Sequence, residues 1–519
     1  SSIVFTFDAC RSNCLAEGTL VSCSDGLARP IESITSKQTT HVLTYTTIPK
    51  DHEHALFTRL MMGVSNTGRT SGGVINNGIR NCFLIRLLDG SQLKCTPDHR
   101  ILCVDSNRIN AGCDTLQKIL KHSCFVPAID LIPGRHLICC SAIGAVVDDP
   151  QQDQLSDWKF VWSGGRWTMA MHRSKLLAFA RILGHLLSVD LSTRRKEEKR
   201  KKKEDHLTLC FSHRLDVIAA LDDIEVISGK RPDPSLSHDE LDQQGDFMWK
   251  ITLPAHPFRS LLSVVVTDSK SQMIQKVLHH APKSFQREFL AAYFGGASNG
   301  FDDEFINSNN NNVRLSSSLE QAESIIKCLK NVFDIEGATI PSDRSLDVQQ
   351  IILTKDSAVQ FAQRIGIRYC LEKNMKLEIL RRWSSSECKM SFQQFARAVN
   401  WKARIPCNNN TTTLLVPVMS MTPMERPLHV YDLTVPESAN FVAEGCVVHN
   451  CSSSRDHLKG RVVLVVDDLP NTPPIISTPI SLQARPEGSL KRTKKSKSDS
   501  PGGIDNNNSS GDEATTPGD

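Results

Sequence analysis

Several things are scarce in this 519-residue chain, and each scarcity removes a class of function. No apolar run is long enough to span a bilayer, so no helical membrane span is read and no membrane partner is expected. No charged-then-apolar leader precedes the first patterned segment, so no signal peptide is read. The formal net charge is only +4 on 61 basic and 57 acidic residues, so overall charge indicates neither a nucleic-acid nor a membrane partner. Aromatic residues are slightly sparse at 6%, but a hydrophobic content of 39% still supplies a core. The 17 cysteines lack metal-type pairing and a compact secreted framework, and neither Cys139-Cys140 nor Cys446 with Cys451 matches a zinc pattern. Free thiols point to a reducing compartment. An intracellular location, cytoplasmic or nuclear, is therefore expected. A chain opening on Ser1 is expected to be a fragment of a longer product.

What is present begins with Val447-Val448-His449-Asn450-Cys451. An asparagine side chain can attack its own backbone carbonyl, close a succinimide and cut the chain. A neighbouring histidine polarises that carbonyl, and a following cysteine is placed to receive an acyl group. Alone the tripeptide recurs by chance, so it needs support elsewhere. The length allows roughly three or four domains. Up to about Asp148 the pattern is mostly β: strand-like runs recur at 41–46, 82–88 and 92–95, with Asp89-Gly90 as a hairpin signal between the last two. Thr96-Pro97-Asp98-His99 then sets a hydroxyl and an imidazole three residues apart on a tight turn, and Cys14 follows a short leader.

Taken as a set, these motifs resemble an intein, a self-splicing insert with a Hint-type fold. Cys14 matches the family's first residue, and Thr96 and His99 match its internal motif. The stretches 430–435 and 440–445 match its penultimate motif, His449-Asn450 its end, and Cys451 the first residue downstream. The resemblance implies a mainly β, horseshoe-like splicing domain in two parts, 14–148 and 414–450, flanked by host segments 1–13 and 451–519. It implies autocatalytic splicing without a cofactor, with Cys14, Thr96, His99, Asp432, His449, Asn450 and Cys451 as the reacting and assisting residues. Many relatives carry a His two residues before the Phe of the penultimate motif. Ala439 stands there, so Asp432 and His449 carry more of the work.

The middle changes character. Leu176, Leu177, Phe179, Ala180, Leu183, Leu186 and Leu187 predict one apolar helix, and residues 289–300 predict a second, with small residues where the two would pack. These segments resemble the motif helices of a LAGLIDADG homing endonuclease, an α+β domain expected over 165–406. The resemblance implies double-stranded DNA as a partner and Mg2+ as the cofactor of any endonuclease activity. Each motif helix of that family ends on an acid. Here Asp190 reaches the first position only through a one-residue bulge, and Ala297 stands at the second. Cleavage is therefore expected to be weak or lost. The basic run 194–203 and the stretch 307–312 read as solvated insertions.

The flanks are similar to pieces of a hybrid histidine kinase: residues 1–7 to a closing kinase strand, and 459–468 to an opening receiver strand. From Pro486 the chain is polar and is expected to be disordered. Two rival readings remain open. An active site-specific nuclease is opposed by Ala297. A one-sided autoprocessing domain of the hedgehog type lacks the closing residues 449–451.

Overall fold

Alternating apolar and polar residues make the first third of the chain a series of strands, as period-two patterning requires. The computed structural model describes residues 3–7, 13–34, 41–47, 60–66, 74–109, 119–149, 158–188, 206–230, 235–237, 249–254, 270–296, 312–341, 348–399, 412–433, 435, 438–450, 458–460, 462–466, 475–476 and 480–482. Asp190, the basic run 194–203, Ala297, Cys451 and everything after Leu482 lie outside the described residues. The chain divides into two units, one formed by 1–10 with 454–519 and the other by 11–453. In the first unit, Ile3–Phe7 pairs antiparallel with Val462–Val466, which also pairs with Ile475–Ile476.

In the second unit the early strands are β1 (Leu15–Ala16), β2 (Leu20–Ser22), β3 (Leu27–Pro30), β4 (Val74–Arg80), β5 (Phe83–Leu87), β6 (Gln92–Cys95), β7 (Arg100–Asp105), β8 (Cys124–Pro127), β9 (His136–Ser141) and β10 (Val146–Val147). Asp89-Gly90 turns β5 into β6, with Gly90 at φ +80 and the Ser91 amide donating to Asp89 Oδ1 at 3.0 Å.

The insert that follows is built twice over. Its first half runs α1 (Met169–Ser188), β11 (His206–Phe211), α2 (Arg214–Ser228), β12 (Ser235–Ser237), β13 (Trp249–Pro254) and α3 (Lys270–His280). Its second half runs α4 (Lys283–Gly296), β14 (Val313–Ser318), α5 (Leu319–Phe333), β15 (Ala338–Pro341), β16 (Val348–Leu353) and α6 (Lys355–Arg364). Each half has the order helix, strand, helix, strand, strand, helix, and in each sheet the last strand lies in the middle. The first helices of the halves, α1 and α4, pack on each other through glycines. A Cβ on Gly184 would collide with the Phe289 carbonyl, and one on Gly296 with the Ser188 hydroxyl. Side-chain absence at those points lets the two backbones approach.

Two more helices follow, α7 (Leu371–Ser385) and α8 (Phe392–Ala398). Helix α7 has two apolar faces. Leu377 and Leu380 enter the core of the insert, whereas Leu371, Met375 and Ile379, spaced by four, enter the core under the early strands. The Phe395 ring of α8 is also fully buried in that second core.

The chain then returns to strands: β17 (Thr413–Pro423), β18 (Leu428–Leu433), β19 (Asn440–Ala443) and β20 (Cys446–His449). The order across the large sheet is β10-β3-β2-β19-β20-β7-β9-β17-β5-β6-β1-β18-β4, with β8 beside β7. Strands from both ends of the unit are thus interleaved in one sheet, and the insert interrupts it between β10 and β17.

Candidate functional site

Three pairings and one turn build the site. Strand β1 pairs with β6 at Leu15↔Cys95 and with β18 at Leu15↔Tyr431. Strand β7 pairs with β20 at Ile101↔Val448. The turn Thr96–His99 joins β6 to β7. Continuing the two registers sets Thr96 opposite Cys14 at one end of the turn and His99 opposite Asn450 at the other. Chain positions more than four hundred residues apart are therefore spanned by one four-residue turn.

At the first end, Cys14 is fully buried and Thr96 nearly so. The Cys14 backbone N–H donates to Thr96 Oγ1 at 3.1 Å, and the Thr96 N–H donates to the Cys14 carbonyl at 3.0 Å. The amide held in this way is the bond between Asn13 and Cys14. The Asn77 side-chain N–H donates to Cys14 Sγ at 3.0 Å, and Cys82 and Val430 supply the apolar wall beside the cysteine. One step along the β1–β18 register sets buried Asp432 across from Cys14.

The His99 ring is completely buried, and neither nitrogen has a hydrogen bond of good geometry among the described residues. Burial lowers its pKa to about 4, with the nearby His449 ring acting in the same direction and the Asn13 backbone, close to the ring, opposing them. The ring is thus neutral at physiological pH and able to accept a proton. The linkage has a definite sign. Between the ordinary value of 6.5 and about 4, the unfolded chain binds more protons at this position than the folded one. Stability is complete above that window and falls as pH drops through it. Unfolding followed across these pH values should show the decline, and His99→Gln should flatten it. An equally steep decline in the variant would remove this assignment.

At the second end, Asn450 is 2% exposed. Its backbone N–H donates to the Ala439 carbonyl at 3.0 Å and its Nδ2 donates to the Val435 carbonyl at 3.1 Å. His449 Nδ1 meets the Asn450 carbonyl oxygen, and the Phe125 ring packs edge-on against the imidazole at 4.9 Å. Burial lowers the His449 pKa. Ala439 has φ +53, a conformation costing a non-glycine residue roughly 1–2 kcal/mol. Its carbonyl serves Asn450, but its methyl offers no hydrogen bond.

Of the residues expected from the sequence, Cys14, Thr96, His99, Asp432, His449 and Asn450 lie on this connected set of strands; Cys451 is outside the described residues. Asn77, Phe125 and the Val435 carbonyl were not foreseen. A signal for the first existed: Asn77-Gly78 is a turn dipeptide inside an otherwise strand-like run.

In the insert, the C-terminal ends of α1 and α4 meet at Ser188 and Gly296. Beneath them lies a buried charge network. Arg181 pairs with Asp223 and, at 3.0 Å, with Glu288, which also receives Arg287 and Arg368. Burial alone would raise the Glu288 pKa, but Arg368, Arg287 and Arg181 bring it down to about 2. The network fixes the helix pair rather than offering a metal site. Among the described residues no cluster of three or more metal-binding side chains occurs, and no helix is long and apolar enough to cross a membrane.

Compared with known proteins, residues 72–450 match the intein splicing domain family. A solved structure of the homing endonuclease I-WcaI bound to its DNA recognition sequence is similar over 39% of this chain and 86% of that one, at 15% identity and a TM-score of 0.28. No curated protein matches the chain significantly.

Proposed function

The chain belongs to the family of intein splicing domains, and from that premise we propose that it excises residues 14–450 and joins Asn13 to Cys451. Peptide resonance makes the Asn13–Cys14 bond resistant to attack. Thr96 holds its N–H, and His99 is placed to carry the thiol proton to the departing nitrogen. The Cys14 sulfur attacks the Asn13 carbonyl: the S–C bond forms, the C–N bond breaks, and the proton ends on the new amine. The Cys451 sulfur then displaces Cys14 from that carbonyl and takes the upstream segment. Asn450 Nδ2 attacks its own carbonyl, which His449 polarises, and the bond to Cys451 breaks as the succinimide closes. The amine freed on Cys451 captures the adjacent thioester as an amide. Proximity is the fold's main contribution. The observation that carries this reading is the Thr96–His99 turn, which joins the strand beside Cys14 to the strand beside Asn450.

The insert is read as a homing endonuclease that retains DNA binding and has lost efficient cleavage. The duplicated arrangement around α1 and α4 supports that reading. A hard cation such as Mg2+ needs oxygen ligands. Gly295 and Gly296, which end α4, and Ala297, the next residue in sequence, carry no side-chain oxygen. This donor set does not fit a metal shared between two carboxylates.

Mass spectrometry of the expressed full chain tests splicing, and a plasmid assay tests cleavage. The expected products are a free 14–450 piece and a product with Asn13 bonded to Cys451. The purified insert-bearing protein, given magnesium and a supercoiled plasmid with the uninterrupted insertion site, should leave it uncut. An intact precursor that never processes would refute splicing, and efficient double-strand cutting would refute the loss of cleavage.

A further inference from the structure

We infer that Asn77 is a catalytic residue of the first splicing step, its side-chain amide donating to the Cys14 sulfur and stabilising the thiolate that attacks the Asn13 carbonyl. This rests on the splicing reading and adds a group to its site. Asn77 reaches the sulfur because β4 is irregular at that point. Along the β4–β18 pair the register runs Ile79↔His429 and then Asn76↔Tyr431, so β4 carries one extra residue opposite Val430. The extra residue falls at Asn77-Gly78. Gly78 has φ +77 and nothing within 4 Å of the place where a Cβ would sit, so glycine is needed there for its backbone conformation and not for space. The Gly78 N–H donates to Asn76 Oδ1 at 2.9 Å, which caps the irregularity. A bulge of this kind turns a side chain off its regular alternation, and such bulges recur beside active sites. Here it turns the half-buried Asn77 amide onto the sulfur at 3.0 Å.

The chemistry gives that contact a use. The thiolate is the nucleophile, and apolar surroundings disfavour it. Cys82 and Val430 form an apolar wall beside Cys14, and neither favours a negative sulfur. An N–H donor does, because a hydrogen bond to the charged form stabilises that form. Once the sulfur is acylated it is a poor acceptor, so the contact weakens as the thioester forms and does not trap the product. The step balances without any added reagent: the S–C bond forms, the C–N bond breaks, and the thiol proton moves to the leaving nitrogen.

The test uses the full chain carrying Asn450→Ala, treated with a small thiol, with release of residues 1–13 timed by mass spectrometry across pH. Asn77→Ala should slow release about tenfold near neutrality, the size expected from losing one hydrogen bond to a charged group. The deficit should shrink at alkaline pH, where the thiol ionises unaided. Asn77→Asp, of equal size but with no donor and a negative charge, should be slower still. A parallel chain carrying Cys14→Ala reports the fold through Asn450-driven release of residues 451–519. If the Asn77 substitutions also abolish that release, or slow the thiol reaction equally at every pH, Asn77 is scaffold and the inference fails. A parent chain that is never cleaved before Cys14 overturns the splicing reading as well. A parent that is cleaved while Asn77→Ala keeps pace overturns this inference alone.

Discussion

Asn450→Ala should stop release of the downstream segment while leaving thiol-induced cleavage before Cys14 intact. The two ends of the site use different nucleophiles, and this substitution removes one of them. The Nδ2 atom donates to the Val435 carbonyl at 3.1 Å, in a residue that is 2% exposed. Holding a nucleophile beside its target contributes about 7–11 kcal/mol in well-oriented intramolecular reactions. No other amide is attached to that carbonyl, so release should fall by at least about a thousandfold, beyond what an overnight incubation detects. Cleavage at Cys14 depends instead on the sulfur, on His99 and on the hydrogen bonds that Thr96 and Asn77 make to Cys14, which do not involve Asn450. Cys14→Ala should give the mirror result: no joined product, with release at Asn450 persisting. Mass spectrometry of the two variants separates the outcomes. Loss of both cleavages in either one would mean that the ends do not act through separate nucleophiles.

The residues proposed to react stand out in the sequence because each proposed step needs a particular atom. A sulfur at 14, an imidazole at 99 and a carboxamide at 450 have no substitutes, and the Thr96–His99 spacing marks a turn. The mostly β character to Asp148 and the two apolar helices were readable from period two and period 3.6 respectively. What sequence order hid were the side chains acting across it. Asn77 lies 63 positions from the cysteine it touches; Asn77-Gly78 marks an irregular strand but does not say which residue the amide meets. Asp89 was readable as a turn residue, but its partner is Arg382, 293 positions away. Helix α7 falls within the span 165–406 expected for the insert. Its leucines, however, are shared between the insert core and the core under the splicing strands. A helix with two buried faces gives no clear boundary in a linear pattern.

Arg382→Met should destabilise the splicing unit by about 3–5 kcal/mol, the cost of leaving a buried partner charge uncompensated. The arginine side chain is 2% exposed and that of Asp89 is 0% exposed. Its guanidinium pairs with Asp89, donates to Glu378 at 2.7 Å and reaches the Ser141 carbonyl at 3.2 Å. It also lies against the turn between β19 and β20, where a Cβ on Gly445 would collide with it. One side chain on α7 thus braces the β5–β6 hairpin, which leads into Thr96 and His99, and the turn that leads into His449 and Asn450. Asp89→Asn in the Arg382→Met background should recover part of the loss, because the orphaned charge is gone while Arg381 still serves Glu378 at 2.7 Å. Denaturant unfolding of the four members of that cycle, in a chain blocked at both junctions, measures the coupling. The same contact decides how the insert can be removed. Deleting residues 165–406 takes Arg382 away with the insert and leaves Asp89 buried without it. A shorter deletion that ends before Leu371 keeps α7 and α8 on the sheet. The shorter deletion should splice and the longer one should fold poorly; equal splicing by both would show that α7 braces nothing.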